Sequence, residues 1–300
     1  MSYLLAIGHA ALDRVVQVDV FPRADEKAQV TPLTHGGGGP AATAMVTVAR
    51  MGGQGILCAA LGQDAAGQDI RDELQSEGVD TEPMQMRAGC RSPLSYVVVE
   101  QQTASRTIFW DRGNAPRLRP DEIPAGLVEG AAALLVDGHQ IQAQRAAAQR
   151  ARQAGVPVVL DGGSLRPSTR ELLELTDHAV VSERFARDWC GETGEKGLRA
   201  LQAAGPAVAV ITLGERGCIG TEGGETLAIP ALPVNAMDTN GAGDVFHGAY
   251  LIGLERGFSL LQRLQLAGAA AGLACRTAGA RPGIPGLEEA LAAGVRIGRA

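Results

Sequence analysis

Short apolar runs alternate with amphipathic stretches along most of the chain, and this alternation predicts its main elements. Tyr3 to Gly8 is the first apolar run, with the length of a buried strand. From about residue 131 onward, strand patterns and helix patterns follow one another repeatedly. These predicted elements are Ala131–Val136, Gln142–Ala154, Val156–Leu160, Arg170–Leu175, Ala179–Val181, Phe185–Cys190, Lys196–Ala204 and Ala207–Leu213. The alternation predicts right-handed βαβ units on a largely parallel sheet.

Two other segments carry the period-two pattern of a sheet with one face open to water. Val15 to Thr34 alternates polar and apolar residues, and Ser92 to Asp111 holds two apolar runs around a polar turn. We expect the two segments to form one small β-subdomain. The remaining predicted elements are a helix from Pro40 to Arg50, a strand from Gly55 to Leu61, a helix from Gly67 to Glu77, and the C-terminal helices Gly243–Arg256, Leu260–Arg276 and Leu287–Arg296.

Composition narrows the class of protein without identifying it. The 300 residues are 45% apolar and 20% charged, as in globular proteins, and the net charge is −6. Basic residues do not cluster with aromatic ones, which argues against a nucleic-acid or membrane partner and favours a small molecule. The five cysteines stand singly, so neither a zinc site nor a disulfide framework is indicated. The apolar runs are too short to span a bilayer, and we expect a cytoplasmic protein.

The most specific motif is a glycine-rich turn between two carboxylates, with the sequence Asp238-Thr239-Asn240-Gly241-Ala242-Gly243-Asp244-Val245-Phe246. Small residues let backbone amides approach an anion, and the helix that follows adds its positive N-terminal end. Asp244 places a carboxylate, and therefore a candidate base, in the first helical turn. The chain has no G-x-x-x-x-G-K-[ST] motif, so a P-loop is excluded. The alternative is an ordinary Asn-Gly turn with a capping aspartate.

This motif resembles the D-T-x-G-A-G-D-x-F signature of the ribokinase/PfkB family of sugar and nucleoside kinases, and companion motifs extend the resemblance over almost the whole chain. The resemblance implies an α/β fold, namely a ribokinase-like three-layer α/β/α sandwich with a mostly parallel sheet. It also implies a single kinase domain over residues 1–300, with a small β-sheet lid from about 14–34 and 91–112. Asp244 would be the catalytic base, and the amides of Gly241, Ala242 and Gly243 would hold the phosphoryl group during transfer.

On the nucleotide side, the resemblance implies ATP and Mg²⁺. Thr212, Gly214 and Gly217 would line the nucleotide, as would Gly272 near the late loop. Ser182 and Glu183 stand where many relatives have N-x-x-E, and Phe185 replaces its final glutamate. Asp238, Asn240 and Ala278 would hold a monovalent cation such as K⁺, although a helix C-cap at Gly279 explains part of the late loop equally well.

On the sugar side, the resemblance assigns hydrogen bonds to sugar hydroxyls to Asp13, and places Asp161 along the same cleft. Gly38 and Gly39 would let the backbone approach the sugar. The last residue of this glycine motif is usually Asn in the family and is Thr43 here. A hydroxyl cannot make the paired contacts of an amide, so the ring geometry of the acceptor stays open.

The sequences around the glycine motif and after the base are most similar to a branch that contains sulfofructose kinases. Lys27 fits an anion-binding position of that branch, while Trp110 and His139 stand where its other polar and basic partners are expected. Arg112 is a further candidate beside the cleft. A surface lysine and a tryptophan that anchors the lid or a dimer contact are the alternatives. The resemblance implies a homodimer, with a sugar and ATP as small-molecule partners.

Three alternatives remain open at this point. A nucleoside kinase of the same fold would share every motif. The pattern Gly37-x-Gly39-x-x-Ala42, with Asp64 about twenty residues later, also fits a dinucleotide fingerprint, so an NAD-dependent oxidoreductase is a rival. A catalytically silent sugar-binding regulator would keep Asp13 without needing Asp244.

Overall fold

A large, mostly parallel β-sheet with helices on both faces forms the centre of the molecule. The structure, a computed structural model, describes residues 2–102 and 106–298. The strands are β1 (Leu4–Ile7), β2 (Ala11–Val18), β3 (Thr31–Gly38), β4 (Gly55–Cys58), β5 (Ala60–Gly62), β6 (Gln85–Arg87), β7 (Leu94–Glu100), β8 (Arg106–Asp111), β9 (Ala133–Val136), β10 (Val158–Gly162), β11 (His178–Ser182), β12 (Val208–Thr212), β13 (Cys218–Glu222) and β14 (Glu225–Ile229). The helices are α1 (Pro40–Arg50), α2 (Ala65–Ser76), α3 (Ile141–Ala154), α4 (Pro167–Leu173), α5 (Glu183–Cys190), α6 (Gly194–Ala203), α7 (Ala242–Glu255), α8 (Leu260–Ala274) and α9 (Leu287–Arg296).

The order of strands in the large sheet is β14-β13-β12-β11-β10-β9-β1-β4. The strands from β4 to β12 in this order are parallel, while β13 and β14 form an antiparallel hairpin at one edge. The predicted parallel sheet is therefore confirmed, and its parallel strands all end at one edge.

Two apolar cores cover the two faces of this sheet, because successive strand residues point to opposite sides. In β1, Leu4 and Ala6 pack into a core shared with α1, α7, α8 and α9. Leu5 and Ile7 pack into the other core, which is shared with α3, α4, α5 and α6. This arrangement is the three-layer α/β/α sandwich that the resemblance implied.

A second sheet has the strand order β3-β2-β7-β8 and lies outside the large sheet. We call these four strands the small sheet. β2 pairs antiparallel with β3 and parallel with β7, and β7 and β8 form the predicted hairpin. The two segments with the period-two pattern thus join in one sheet, and β3 extends that sheet into the glycine motif as far as Gly38.

Two details of the large sheet differ from the sequence predictions. The predicted strand from Gly55 to Leu61 is divided, because β4 pairs with β1 while β5 leaves the large sheet and pairs with β6. The hairpin of β13 and β14 was not predicted, although Gly223 and Gly224 between the strands both have positive φ, as a tight primed turn requires. Across the described residues, the structure contains no helix both long and apolar enough to cross a bilayer.

Candidate active site

Polar side chains gather where the parallel strands of the large sheet end. His9 follows β1, Asp137 follows β9, and Asp161 lies near the end of β10. Ser182 ends β11 and Thr212 ends β12. Because ligands of open α/β sheets bind outside the carboxyl ends of the strands, this edge is the expected location of a site.

The turn that begins α7 brings the candidate base to this edge. Gly241 caps the helix with a φ of 74°, and a side chain there would collide with Ala280. The carboxylate of Asp238 holds the turn, accepting the amide of Asn240 at 2.9 Å and the amide of Gly279 at 2.9 Å. Amides in the first turn of a helix have no carbonyl partner within it, and the space beside Gly243 is open. The turn can therefore receive an anion.

Asp244 lies half-buried in the first turn of α7. Burial raises the pKa of its carboxyl well above the ordinary value, and the nearby carboxylates of Asp161, Asp13 and Asp137 raise it further, while Arg281 opposes them. A carboxylate that holds its proton more tightly is also a stronger base once it is ionised. Asp244 therefore remains the candidate base.

Asp13 faces the same cleft from the small sheet. Its carboxylate accepts a 2.5 Å hydrogen bond from the Ser95 hydroxyl and lies 3.4 Å from the side-chain amide of Asn240. It packs so closely on Gly38 that a Cβ there would overlap it. Across the strands, Asp13 is opposite Ser95 and Ser95 is opposite Trp110, so all three share one face of the small sheet. Trp110, 73% exposed, can therefore flank a molecule that binds Asp13.

Arg281 lies beneath the glycine motif, and sequence reasoning missed it. This arginine is 3% exposed and donates to the carbonyl oxygen of Gly38 at 3.1 Å and to the carboxylate of Glu73 at 3.0 Å. Its Nε is 3.4 Å from the hydroxyl of Thr43, which is fully buried. Thr43 thus supports the glycine motif through Arg281. Gly39, with a φ of 90°, begins α1 and packs on the carbonyl of His9.

A buried histidine pairs with Asp161, and this residue was also missed. His247 lies one turn after Gly243 on α7; its Nδ1 is 2.7 Å from the carbonyl oxygen of Gly243, and its Nε2 is 2.9 Å from that of Val180. Carbonyl oxygens only accept hydrogen bonds, so both ring nitrogens are positioned to donate. Nδ1 is also 3.5 Å from Asp161 Oδ2, an oxygen with no hydrogen-bond partner among the described residues. Burial raises the pKa of Asp161, and His247 opposes that rise.

The predicted nucleotide residues lie around the ends of β11 and β12. Ser182 caps α5 by accepting the amide of Phe185, and Glu183 forms a 2.7 Å ion pair with Arg216. Thr212 ends β12 and its hydroxyl is 3.4 Å from the carbonyl oxygen of Val181. These contacts join the start of α5 to the turn after β12.

The glycines predicted for nucleotide binding have different surroundings. Gly214 is exposed, and a side chain there would meet open space. Gly217, with a φ of 91°, passes so close to the backbone at Ile229 that a Cβ would collide with it. Gly272 lies within α8, where a Cβ would come within 2.9 Å of Leu232. Gly217 and Gly272 therefore have packing roles of their own.

The four remaining candidate residues lie in different surroundings. Arg112 and His139 line one cavity together with His9. Lys27 is exposed in the segment between β2 and β3, and Ala278 is half-buried in the turn after α8. Neither Lys27 nor Ala278 lines this cavity or the cavity between Asp13 and Arg281. Lys27 is thus separate from the basic residues near His139.

The dinucleotide alternative conflicts with the topology around the glycine motif. That fingerprint requires a parallel strand of the main sheet before its glycines, whereas β3 is an antiparallel strand of the small sheet. Asp64, which would bind the ribose, instead caps α2 by accepting the amide of Gly67 at 2.8 Å and binds Ser92. The rival NAD-dependent interpretation is therefore not supported.

A helix N-terminus and a half-buried carboxylate meet at the carboxyl edge of the large sheet, and this arrangement suits phosphoryl transfer without a P-loop. The pfkB family carbohydrate kinase profile matches residues 1–286 of this chain. The chain therefore belongs to the pfkB family of carbohydrate kinases, and it is a phosphotransferase with an alcohol acceptor.

Relatives and solved structures agree with this assignment. A nucleoside kinase of Methanothermobacter thermautotrophicus is 27% identical over 293 residues, covering 96% of this chain and 94% of the relative. A ribokinase of Bacillus subtilis is 27% identical over 289 residues, covering 95% and 97%. The Arabidopsis thaliana ribokinase complexed with ribose and ATP superposes with a TM-score of 0.88 at 25% identity, covering 98% of this chain and 99% of that one. The fold is ribokinase-like, and the enzyme is a carbohydrate or nucleoside kinase.

Proposed function

We propose that the protein transfers the γ-phosphate of ATP to a primary hydroxyl of a sugar or sugar acid. The observation that carries the proposal is the convergence of two carboxylates on one cleft. Asp13 lies on the small sheet and Asp244 at the start of α7, and Asn240, in the turn before α7, is 3.4 Å from the Asp13 carboxylate. One carboxylate can hold acceptor hydroxyls while the other removes a proton.

Asp244 takes the proton of the acceptor hydroxyl in this proposal. The raised pKa of its carboxyl suits that task, because a base works best when its pKa is near the working pH. The amides of Gly241, Ala242 and Gly243 stabilise the transferring phosphoryl group, since phosphoryl transfer depends mostly on positioning and on neutralising charge. Asp161 and His247 adjust the charge around the base without touching the phosphoryl group.

ATP lies toward α5, β12 and α8, with Thr212 and the exposed Gly214 beside it. The Arabidopsis ribokinase, which was solved with ribose and ATP, supports a pairing of a sugar with ATP. No group of three or more His, Cys, Asp or Glu side chains in the described residues is arranged to hold a metal ion. We assign Mg²⁺ to the nucleotide phosphates and water. A K⁺ ion near Asp238 would use carbonyl oxygens around Asn240 and Ala278.

The names of the relatives suggest two classes of acceptor. One relative, the 5-dehydro-2-deoxygluconokinase of Shouchella clausii, is 27% identical over 308 residues, covering 95% of this chain, and its name specifies a sugar acid. The Methanothermobacter relative is a nucleoside kinase, and a nucleoside acceptor is therefore the second candidate. The small sheet would close over either acceptor and exclude water from the transfer.

The decisive experiment replaces Asp244 by Asn in an ATP-coupled assay across ketoses, aldoses, sugar acids and nucleosides. A positioned general base contributes about 10²- to 10⁴-fold, so kcat should fall by about that factor while calorimetry still detects the acceptor. Asp188→Asn, a change of the same charge at an exposed position of α5, is the matched control. Turnover of Asp244→Asn at the control's rate would refute the assigned base.

A further inference from the structure

A small cavity with basic walls lies where the small sheet joins the large sheet. His9 and His139 approach it from the ends of β1 and β9, while Arg112 and Arg117 come from the segment after β8. The volume of the cavity is about 30 Å³. A single water needs about 10 to 15 Å³ measured in this way, so the space matches a head group of a few atoms and is too small for a sugar ring.

The positive charge of this cavity is not neutralised by ion pairs. Among the described residues, neither Arg112 nor Arg117 forms an ion pair or a side-chain hydrogen bond. Arg166 adds a third guanidinium nearby, 3.4 Å from the carbonyl oxygen of Asp137. Guanidinium groups bind carboxylate and phosphate through paired hydrogen bonds, so free ones in a cavity favour an oxyanion.

The carboxylate of Asp137, beside the two histidines, is held by hydrogen bonds from the protein. Asp137 accepts the amide of His9 at 2.7 Å, the amide of His139 at 3.0 Å and the side-chain amide of Gln144 at 2.8 Å. These bonds satisfy its oxygens and fix the loops after β1 and β9 in one geometry. Asp137 thus supports the two histidines and leaves the arginines available.

The two histidine rings are stacked, and both have lowered pKa values. Their ring centroids are 4.4 Å apart and the planes differ by 10°. Burial, His139 and the charges of Arg166 and Arg112 lower the pKa of His9 to about 4, and burial and arginines also lower the pKa of His139. An anion in the cavity would oppose these effects, because a negative charge stabilises the charged imidazole.

We propose that this basic cavity binds the anionic head group, a carboxylate or a phosphate, of the acceptor molecule. The inference rests on the proposed function, since it specifies the class of acceptor for the same cleft. The cavity is coupled electrostatically to the reaction centre, because the charges of Asp137 and Asp161 act on both His139 and Asp244. The acceptor therefore extends from its reacting hydroxyl at Asp244 to its charged end at Arg112 and Arg117.

The test compares pairs of acceptors in which one member carries an anionic group and the other does not. We would measure kcat/KM for D-gluconate against D-gluconamide, and for D-fructose 6-phosphate against D-fructose, which separates a carboxylate from a phosphate. The wild-type enzyme should favour one anionic member at least tenfold over its neutral partner, as expected for charge-assisted hydrogen bonds. The double variant Arg112→Gln, Arg117→Gln should lose that preference, through a higher KM for the anionic member.

Arg119→Gln is the matched control, because Arg119 belongs to the same segment but is exposed and paired with Asp121. The control should keep the preference for the anion. Equal kcat/KM for both members of each pair, or an equal loss for both in the double variant, would overturn the proposal.

A direct binding experiment separates failure of this inference from failure of the proposed function. If no acceptor is phosphorylated, the proposed function fails, and the cavity is then tested by the NMR signals of the His9 and His139 rings. Saturable shifts with D-gluconate or D-fructose 6-phosphate that the double variant abolishes would support the cavity as an anion site. Unchanged signals with both ligands would refute it.

Discussion

The charge on Asp161 should set the pH at which the kinase loses activity in acid. Asp161 is a buried carboxylate at the end of β10, and its negative charge is the largest electrostatic cause of the raised pKa of Asp244 after burial itself. Asp161→Asn keeps the shape of the side chain and removes the charge. The pKa of Asp244 should therefore fall, and the ionised base should persist to lower pH.

The size of the shift follows from the repulsion between two carboxylates, one buried at Asp161 and one half-buried at Asp244. Two like charges about 6 Å apart repel by about 3 kcal/mol at an effective dielectric constant of about 20, which corresponds to about 2 pKa units. Asp161 also has a raised pKa and faces His247, so its own charge is partly offset. We expect a shift of about 1 unit. Burial still acts on Asp244, so its pKa should stay above that of an ordinary aspartate.

The assay is the pH profile of kcat/KM, measured from pH 4.5 to pH 8 with the best acceptor. Because the base must be ionised, activity falls as pH falls through the pKa of Asp244, and this acid limb should move to lower pH in Asp161→Asn. Asp188→Asn provides the matched surface control. An acid limb that stays in place, or moves to higher pH, while the variant remains folded by circular dichroism, would refute the electrostatic coupling.

Two further predictions concern buried groups away from the base. A lysine at position 281 cannot reproduce the forked contacts of Arg281 with Gly38 and Glu73. In Arg281→Lys, the free energy of unfolding in urea should therefore fall by about 3 kcal/mol, and KM should rise more for the acceptor than for ATP. An unchanged KM for the acceptor would contradict this prediction. Burial and Arg263 lower the pKa of His178 to about 4, whereas an unfolded histidine titrates near pH 6.5. The unfolded chain then binds more protons between these values, so the free energy of unfolding should fall by up to about 3 kcal/mol as pH drops from 6.5 to 4. His178→Gln should reduce this dependence in urea titrations, and curves parallel to wild type would argue against it.

Local signals in the sequence sufficed for much of the fold. Pro40 and the glycines after Arg50 marked both ends of α1, and the structure gives the predicted bounds. A continuous apolar run, in contrast, does not reveal which sheet a strand joins, and this is why the predicted strand from Gly55 to Leu61 was wrong as one unit. The Gly223-Gly224 turn between β13 and β14 was a usable hairpin signal, and apolar periodicity alone does not contain it.

The same holds for the candidate site: features within a few consecutive residues could be predicted from the sequence, and contacts between distant residues could not. The turn from Asp238 to Asp244 carries its chemistry within a few residues, so its position at a helix N-terminus could be predicted. Arg281 meets Thr43 across 238 residues, and no local pattern links them. His247 was detectable in principle, since a histidine on the apolar face of a buried helix needs polar partners.

The parallel pairing of β2 with β7 has a kinetic consequence for the enzyme. The contact between Asp13 and Ser95 joins residues 82 positions apart, and α1, β4 and α2 lie between them. Contacts across such a separation cost loop-closure entropy before they contribute stability, so they tend to form late. The Asp13 carboxylate should therefore reach its final position after the large sheet has assembled, and a refolding chain should regain its secondary structure before this contact forms.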